Sequence, residues 1–390
     1  METKTNKKTK KQSEEIFSYK KEDTKNSNNS KSLNLNDLNN IIGRLTGVPL
    51  KEKLFFVQHL GVMIRVGISL SKALFTLSSQ TQNKYFQKIL TSISKKVDGG
   101  ESFSKSLTSY PKVFNELFVN MIRAGEESGK LEEALKQLYV QMKKEHQLLS
   151  KVKGALTYPA VILLAMVGIG VFMMAVVIPK MTANFKEMGV ELPLPTQILI
   201  GASNALANHG IIVGIIVIAI LFLLVRYFRT KKGKRVFDSI LLRFPIFGKI
   251  IKKINLARFS RNISSLLKTD IMIVESFDIV ASILGNTYYK EAMLEIGNNI
   301  KKGITVNESI KKYPKLFPPM VVQMVAIGEE TGDLDNILVE LADFYETEID
   351  QVMTDLPSII EPLLILVLGV GVAGIAISIL MPMYSLTSSI

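Results

Sequence analysis

The seven residues Gly125-Glu126-Glu127-Ser128-Gly129-Lys130-Leu131 return as Gly328-Glu329-Glu330-Thr331-Gly332-Asp333-Leu334, 203 positions later. Working outward from that pair without opening a gap, Tyr110–Leu135 and Tyr313–Leu338 agree at 12 of 26 positions. The same offset pairs Phe56 with Phe259, Gly100 with Gly303, Ser106 with Ser309, Pro159 with Pro362 and Pro179 with Pro382. Each copy thus spans about 125 residues. A period this long with two copies is a duplicated domain, because solenoid units recur every 20–50 residues and need several copies to bury a continuous core. Each copy therefore has to carry a core of its own.

Composition sets the solvent. With 390 residues, 47% of them apolar, and a mean hydropathy of +0.24, the chain is too apolar for an ordinary soluble protein and implies a bilayer. Cysteine is absent and the histidines are His59, His146 and His209, so disulfides, thiolate chemistry and Cys/His zinc sites are excluded. The net charge of +13 is concentrated: +12 lies in Met1–Tyr158, +7 in Arg226–Lys249 and about −7 in Ile300–Ile390. That excess sits beside apolar segments and lacks the aromatic or Arg interleaving of a nucleic-acid face. No nucleic acid is expected as a direct partner.

Residues 1–50 form a basic arm rich in Lys, Asn and Ser, which buries too little to offset ordering and is expected to be disordered. It has no continuous apolar stretch of the signal-peptide kind, and the amino terminus is expected to stay cytoplasmic. Over residues 51–155 apolar side chains recur at helical spacing, as in Leu54, Val57, Leu60 and Ile64 and again in Leu131, Leu135, Leu138 and Met142. Breaks at Gly67, Asn83, Asp98-Gly99-Gly100, Tyr110-Pro111 and Gly129 divide the stretch into about six helices with short connections, a cytoplasmic bundle. A second bundle follows a basic linker within residues 229–355. Thr305 and Glu308 have capping-box spacing, whereas the first copy offers Ser102 with Lys105, a weaker cap.

Residues 156–178 contain no charge over 23 positions, enough to cross about 30 Å of hydrocarbon at about 1.5 Å per residue. Pro159 is expected in the first turn of that span, where proline loses no helical hydrogen bond, and Pro179 at its exit. Residues 179–205 are expected as an external loop, 206–228 as a second span and 359–384 as a third. Arg226, Arg229, Lys231, Lys232, Lys234 and Arg235 place the end of the second span in the cytoplasm by the positive-inside bias. The expected fold is an all-α membrane protein with two homologous cytoplasmic bundles of about six helices each, three transmembrane helices and an external carboxyl terminus. Gly369, Gly371, Ala373, Gly374, Ala376 and Ser378 give the third span a small-residue face, expected to pack on another span.

Gly125–Leu131 approaches a phosphate-binding loop, but Gly-x-x-x-Gly-Lys-Leu is one residue short, lacks the metal-binding hydroxyl and carries Asp333 in the second copy. No nucleotide, metal or other cofactor is expected. A helix–helix turn with Gly129 and Gly332 as left-handed carboxyl caps accounts for the glycines. It leaves Glu126, Glu127, Glu329 and Glu330 near the wrong end of a helix dipole, a placement that points to a partner surface, a basic patch of the other copy, or a cation. Glu361 matches Tyr158 at the membrane entrance. It reads either as a headgroup-solvated carboxylate or as a functional intramembrane one.

These features together resemble the type II secretion system F family: a duplicated helical domain, Gly-Glu-x-Ser/Thr-Gly-x-Leu in both copies, Tyr158-Pro159 opening one span and Glu361-Pro362 another. The resemblance covers about Leu50 to Tyr384. It implies a non-enzymatic platform in the plasma (inner) membrane of a type II secretion or type IV pilus machine. Implied partners are a cytoplasmic hexameric ATPase, pilin-like subunits, other inner-membrane components, the lipid bilayer and further copies of the chain. It marks Gly125, Glu126, Gly129, Leu131, Tyr158 and Pro159, with Gly328, Glu329, Gly332, Leu334, Glu361 and Pro362, as the residues of interest. Asp270 in place of Gly67 is a departure from the repeat. The machine could equally be a DNA-uptake competence pseudopilus. A small transporter or channel subunit would need more midplane polar groups than Glu361, and a membrane enzyme a catalytic set that is not here.

Overall fold

The computed structural model describes residues 47–181 and 193–387. Residues 1–46 of the arm and 182–192 of the expected external loop lie outside them. Helices α1 (Leu50–Arg65), α2 (Leu70–Gln80), α3 (Lys84–Asp98), α4 (Phe103–Thr108), α5 (Glu116–Glu127) and α6 (Leu131–Phe172) make the first copy. Helices α7 (Leu194–Phe228) and α8 (Lys231–Arg243) follow. Then α9 (Phe247–Leu267), α10 (Ile273–Ile283), α11 (Thr287–Lys301), α12 (Val306–Lys311), α13 (Pro319–Thr331) and α14 (Leu334–Thr387) repeat it. Adding 203 to the bounds of α2, α3 and α4 gives those of α10, α11 and α12 to the residue. Among the described residues the fold is all-α, a duplicated helical bundle with three helices long and apolar enough to cross a membrane.

The helices break where local chemistry requires it. Asn83 caps α3 by accepting from the backbone of Tyr85 and Phe86, and Asn286 does the same for α11 with Tyr288 and Tyr289. Asp270 takes the left-handed conformation at φ +60°, as Gly67 does at +80°. Aspartate is one of the few side chains that tolerates this region, which reconciles the departure from the repeat. The cores are duplicated too. Phe56, Phe86 and Phe114 stack with centroids 5.7–6.3 Å apart. Their equivalents Phe259, Tyr289 and Phe317 touch at 5.4 and 5.8 Å. The buried Tyr289 hydroxyl donates to the Leu316 carbonyl at 2.8 Å, which satisfies the one polar atom in that cluster.

Near the membrane the structure corrects several expectations. α6 runs without a break from the bundle through Pro159, so Pro159 lies in the helix interior, not in a first turn. Its missing N–H and its ring cost the helix a bond there. Met173–Val177 form a π-turn just before Pro179, where the wider turn relieves the proline's clash with the preceding turn. The helix of the second span begins at Leu194, so the last part of the expected external loop is helical, and it is kinked at His209 (φ −126°, ψ 25°). The small-residue face of the third span is bare along Gly369–Gly374, whose absent Cβ atoms would meet nothing within 4 Å. Contact between spans comes further along, where Thr196 Oγ1 donates to the Ser378 carbonyl at 2.7 Å and Ser203 Oγ to the Met174 carbonyl at 2.6 Å. The basic linker is itself helical: in α8 the buried Asp238 carboxylate accepts from Thr287 N at 2.8 Å and Thr287 Oγ1 at 2.7 Å, a cap for α11.

Gly332 has φ +73° at the turn into α14, while the neighbouring Thr331 hydroxyl donates to the Ile327 carbonyl at 2.8 Å. Gly332→Val should therefore destabilise the second bundle by about 1–2 kcal/mol, because a β-branched residue is strained in that conformation. Thr331→Ser keeps its bond and should be nearly silent. Chemical denaturation of the detergent-solubilised chain, followed by helical circular dichroism, separates the two; equal midpoints would contradict the turn's role.

Candidate functional site

The repeated motif closes the α5–α6 and α13–α14 turns. Glu126, at the end of α5, accepts from Phe103 N at 2.6 Å, Ser104 N at 2.9 Å and Ser104 Oγ at 2.6 Å. Glu329 accepts from Val306 N at 2.7 Å and Asn307 N at 3.0 Å. Each carboxylate, ill-placed for its own helix, lies at the positive end of α4 or α12 and satisfies amide donors that have no partner within that helix. In the second copy Glu308 N adds a bond to Thr305 Oγ1 at 3.2 Å. Ser102 makes no side-chain cap bond in the first copy, as Lys105 foretold.

The other positions serve the same clasp. A Cβ on Gly125 would lie 2.4 Å from Ala134 Cβ, and one on Gly328 would lie 3.0 Å from Leu334 Cα. Glycine here lets the two helices approach closely just past the turn. Gly129 and Gly332 turn the chain at φ +71° and +73°, and Leu131 and Leu334 pack against the core. The paired acids thus divide: Glu126 and Glu329 hold the bundle, whereas Glu127 and Glu330 are exposed. A partner surface that used the first acid of each pair would have to break this clasp.

A second constellation joins the bundles. Lys144 on α6 binds Asp343 at 2.9 Å and Glu346 at 2.8 Å on α14, and both carboxylates also bind Arg261 on α9. Arg258 pairs with Glu145 and Lys151 with Asp350 across the same seam, and Gln141 donates to Asn262. Burial works against the charge on Asp343, but the hydrogen bonds from Lys144 and Arg261 outweigh it and hold the carboxyl below its usual range. A cleft of about 290 Å³ opens beside the seam, lined among others by Lys53, Glu145, Arg258 and Leu284. Lys53 Nζ donates there to the Val113 carbonyl at 3.1 Å, and burial lowers the ammonium's pKa. This seam carried no motif in the sequence; its only trace was the acidic run in α14 facing a basic first copy. Among the described residues no three His, Asp or Glu side chains are grouped to hold a metal ion.

Tyr158 and Glu361 occupy equivalent exposed positions, followed by Pro159, which is buried, and Pro362, which is exposed. They do not join the clasp. Tyr158 stands 27 residues beyond Leu131 on one helix, about 40 Å along its axis. The structure thus arranges the motif residues as two groups in each copy, one at the start of a continuous helix and one 27 residues along it.

Comparison with known proteins follows the same division. The family described as type II secretion system (T2SS), protein F matches residues 56–179 and 259–382, one match for each copy. The chain is 37% identical to the type IV pilus assembly protein PilC of Thermus thermophilus over 344 residues, covering 88% of this chain and 84% of the relative. It is 34% identical to PilC of Myxococcus xanthus, with 88% and 82% covered. Against the type II secretion system protein F of Vibrio cholerae it is 31% identical, with 88% and 84% covered. These relatives are named for assembly and secretion rather than for a reaction, and the chain is a structural membrane component, not an enzyme.

Replacing one acid of a pair at a time separates clasp from surface. Glu329→Gln should lower stability by about 1–3 kcal/mol, since charge-assisted bonds to buried amides are lost or weakened. Glu330→Gln should stay within about 0.5 kcal/mol of the parent. Urea midpoints of the solubilised chain measure both, and the reverse order would refute the assignment.

Proposed function

The chain belongs to the type II secretion system protein F family, and on that premise we propose that it is the inner-membrane platform of a pilus-assembly or secretion machine. In this reading it passes the movement of a cytoplasmic assembly ATPase to pilin-like subunits in the bilayer. The observation that carries the proposal is that bundle and span share a helix in both copies: α6 and α14 start at a clasp and continue into the apolar segments. At 42 and 54 residues they are about 63 and 81 Å long. A displacement of either bundle therefore reaches the membrane through hydrogen-bonded backbone rather than through a slack linker. Both bundles lie in the cytoplasm, the segment between the first two spans lies outside, and the carboxyl terminus is external.

Exposed charge adds little by itself, so a motor contact has to desolvate what it uses. Glu127 and Glu330 are the acids of the motif that are exposed for such a contact.

Two measurements test the proposal. In this cysteine-free chain, Glu187→Cys should react with an impermeant maleimide in intact cells, whereas Lys105→Cys, exposed on the first bundle, should react only after lysis. The inverse pattern would overturn the topology. Charge reversal of Glu127 and Glu330 together should abolish filament assembly or export and weaken ATPase co-purification, with abundance and melting unchanged. Intact co-purification and output would show that the motor engages another face.

A further inference from the structure

α8 is amphipathic the wrong way round for a helix packed on protein alone. It lies against α7, α9 and α11, and the side it turns to α11 is polar. There the buried Asp238 caps α11, and Arg235 pairs with Glu291 at 2.9 Å and lies 5.5 Å from the centroid of the Tyr288 ring. At about 100° per residue, Val236, Phe237 and Ile240 fall on the opposite side, where they are 40–54% exposed. The turn that follows adds Phe244, Ile246 and Phe247 at 38–51%. These values match the end of the second apolar span, where Leu224 and Val225 are 45% and 52% exposed.

The apolar side of α8 is also the side nearest that span. The Phe237 ring lies 5.1 Å from Phe228, in the last turn of α7. Gly233 sits so closely against the Tyr227 carbonyl that no Cβ would fit. α8 is therefore fixed at the end of the span, with the second bundle on its polar side and the membrane boundary on its apolar side.

Charge marks the kind of surface that this side meets. Lys232 and Arg243 border the apolar strip on one edge and Lys234 on the other, and all three are exposed. Cations flanking an apolar strip are the arrangement with which a helix lies in a headgroup layer. Beside them Phe222, Val225, Arg226 and Arg229 form one stripe of α7 and line a cleft of about 310 Å³, two apolar side chains followed by two guanidinium groups at the membrane edge. Among the described residues no carboxylate pairs with Arg226, Arg229, Lys231, Lys232, Lys234 or Arg243, whereas Arg235 has Glu291. A polyanion such as nucleic acid would neutralise these cations and leave the strip between them bare. Anionic phospholipid matches both, with phosphate above and acyl chain below.

We propose that α8 is an interfacial helix of the cytoplasmic leaflet that binds anionic phospholipid. Val236, Phe237 and Ile240 enter the boundary between headgroups and acyl chains, while Arg226 and Arg229 hold the phosphate of a lipid whose chain lies on Phe222 and Val225. Three spans need only hydrocarbon of sufficient thickness; α8 adds a requirement for headgroup charge, and through Asp238 and Arg235 it seats the second bundle on the leaflet. From the platform reading the inference takes only which leaflet this is.

The chain contains no tryptophan, so Ile240→Trp gives a single reporter in the full-length protein. Ile327→Trp, at an exposed position beside the clasp, gives a reference away from lipid. Both are reconstituted in nanodiscs of phosphatidylcholine and phosphatidylglycerol in which one lipid or the other carries brominated acyl chains. We expect Ile240→Trp to be quenched and Ile327→Trp not. Per molecule, phosphatidylglycerol should quench about fivefold or more better than phosphatidylcholine, the factor that one surface cation confers. Arg226→Gln, Arg229→Gln, Lys232→Gln and Lys234→Gln together should bring the two lipids to equal quenching, and salt at about 1 M should move the ratio the same way without any of these substitutions. Quenching of Ile240→Trp no greater than that of Ile327→Trp would overturn the proposal. So would equal quenching by both lipids at low salt, or a preference that survives both the substitutions and the salt. Shielding of Ile240→Trp from aqueous iodide without quenching by brominated lipid would mean that protein covers the strip, and would overturn it as well. The discs hold no motor and carry the same lipids on both sides, so the platform reading and its topology would stand in each of those cases.

Discussion

A carboxylate set across the start of a neighbouring helix is the interaction on which each bundle depends. α4 and α12 have six residues each, far below the roughly 12–15 at which an isolated helix becomes even marginal in water. They persist because Phe103 and Leu107, or Val306 and Ile310, are buried and because Glu126 or Glu329 satisfies their first amides. The same carboxylate fixes the end of α5 or α13, and the glycine beside it lets that helix approach the next. The direction in which α6 and α14 leave for the membrane is thereby set at one turn.

Duplication preserved this skeleton and changed what faces outward. The aromatic triads, asparagine caps and left-handed turns recur at the same offset, with Tyr289 for Phe86 and Asp270 for Gly67 as tolerated exchanges. The α1 and α9 surfaces diverged: Phe55, His59 and Val62 stand where Arg258 is half-buried and Asn262 and Ser265 are buried. Arg261, with 9% of its side chain exposed between two carboxylates, illustrates the cost of that change. A buried ion network adds little net stability over apolar packing but is strongly destabilised when one member is lost.

The sequence made the local features legible and the non-local ones not. Helix breaks at Gly67, Asn83 and Gly129 were readable because turn and cap chemistry resides in one or two residues. The apolar spans were readable because length and hydropathy suffice. The role of Glu126 was hidden, since its partners lie 22 and 23 positions away on a helix whose placement depends on the tertiary fold. The dipole argument detected the anomaly and missed its resolution, which is that the acid serves a different helix from its own. Pro159 misled for a related reason: proline statistics favour a helix start, but a helix already nucleated and packed along the bundle absorbs one lost bond and continues. The segment before the second span read as loop because of its polar residues and prolines, yet Pro193 and Pro195 lie at a helix start, where proline belongs.

That continuity places the compliance of the platform. Between Leu131 and Phe172 the backbone ladder of α6 is weakened at Pro159, and Pro362 occupies the equivalent place in α14. Beyond it come the π-turn at Met173–Val177 and, on the neighbouring helix, the kink at His209. Bending concentrates where hydrogen bonds are missing or stretched. A load applied at the clasp is therefore carried rigidly through the cytoplasmic part of the rod and released as bending at the membrane entrance and within the spans. Both copies put a proline at the same distance from the clasp, so two rods loaded together flex at matching depths.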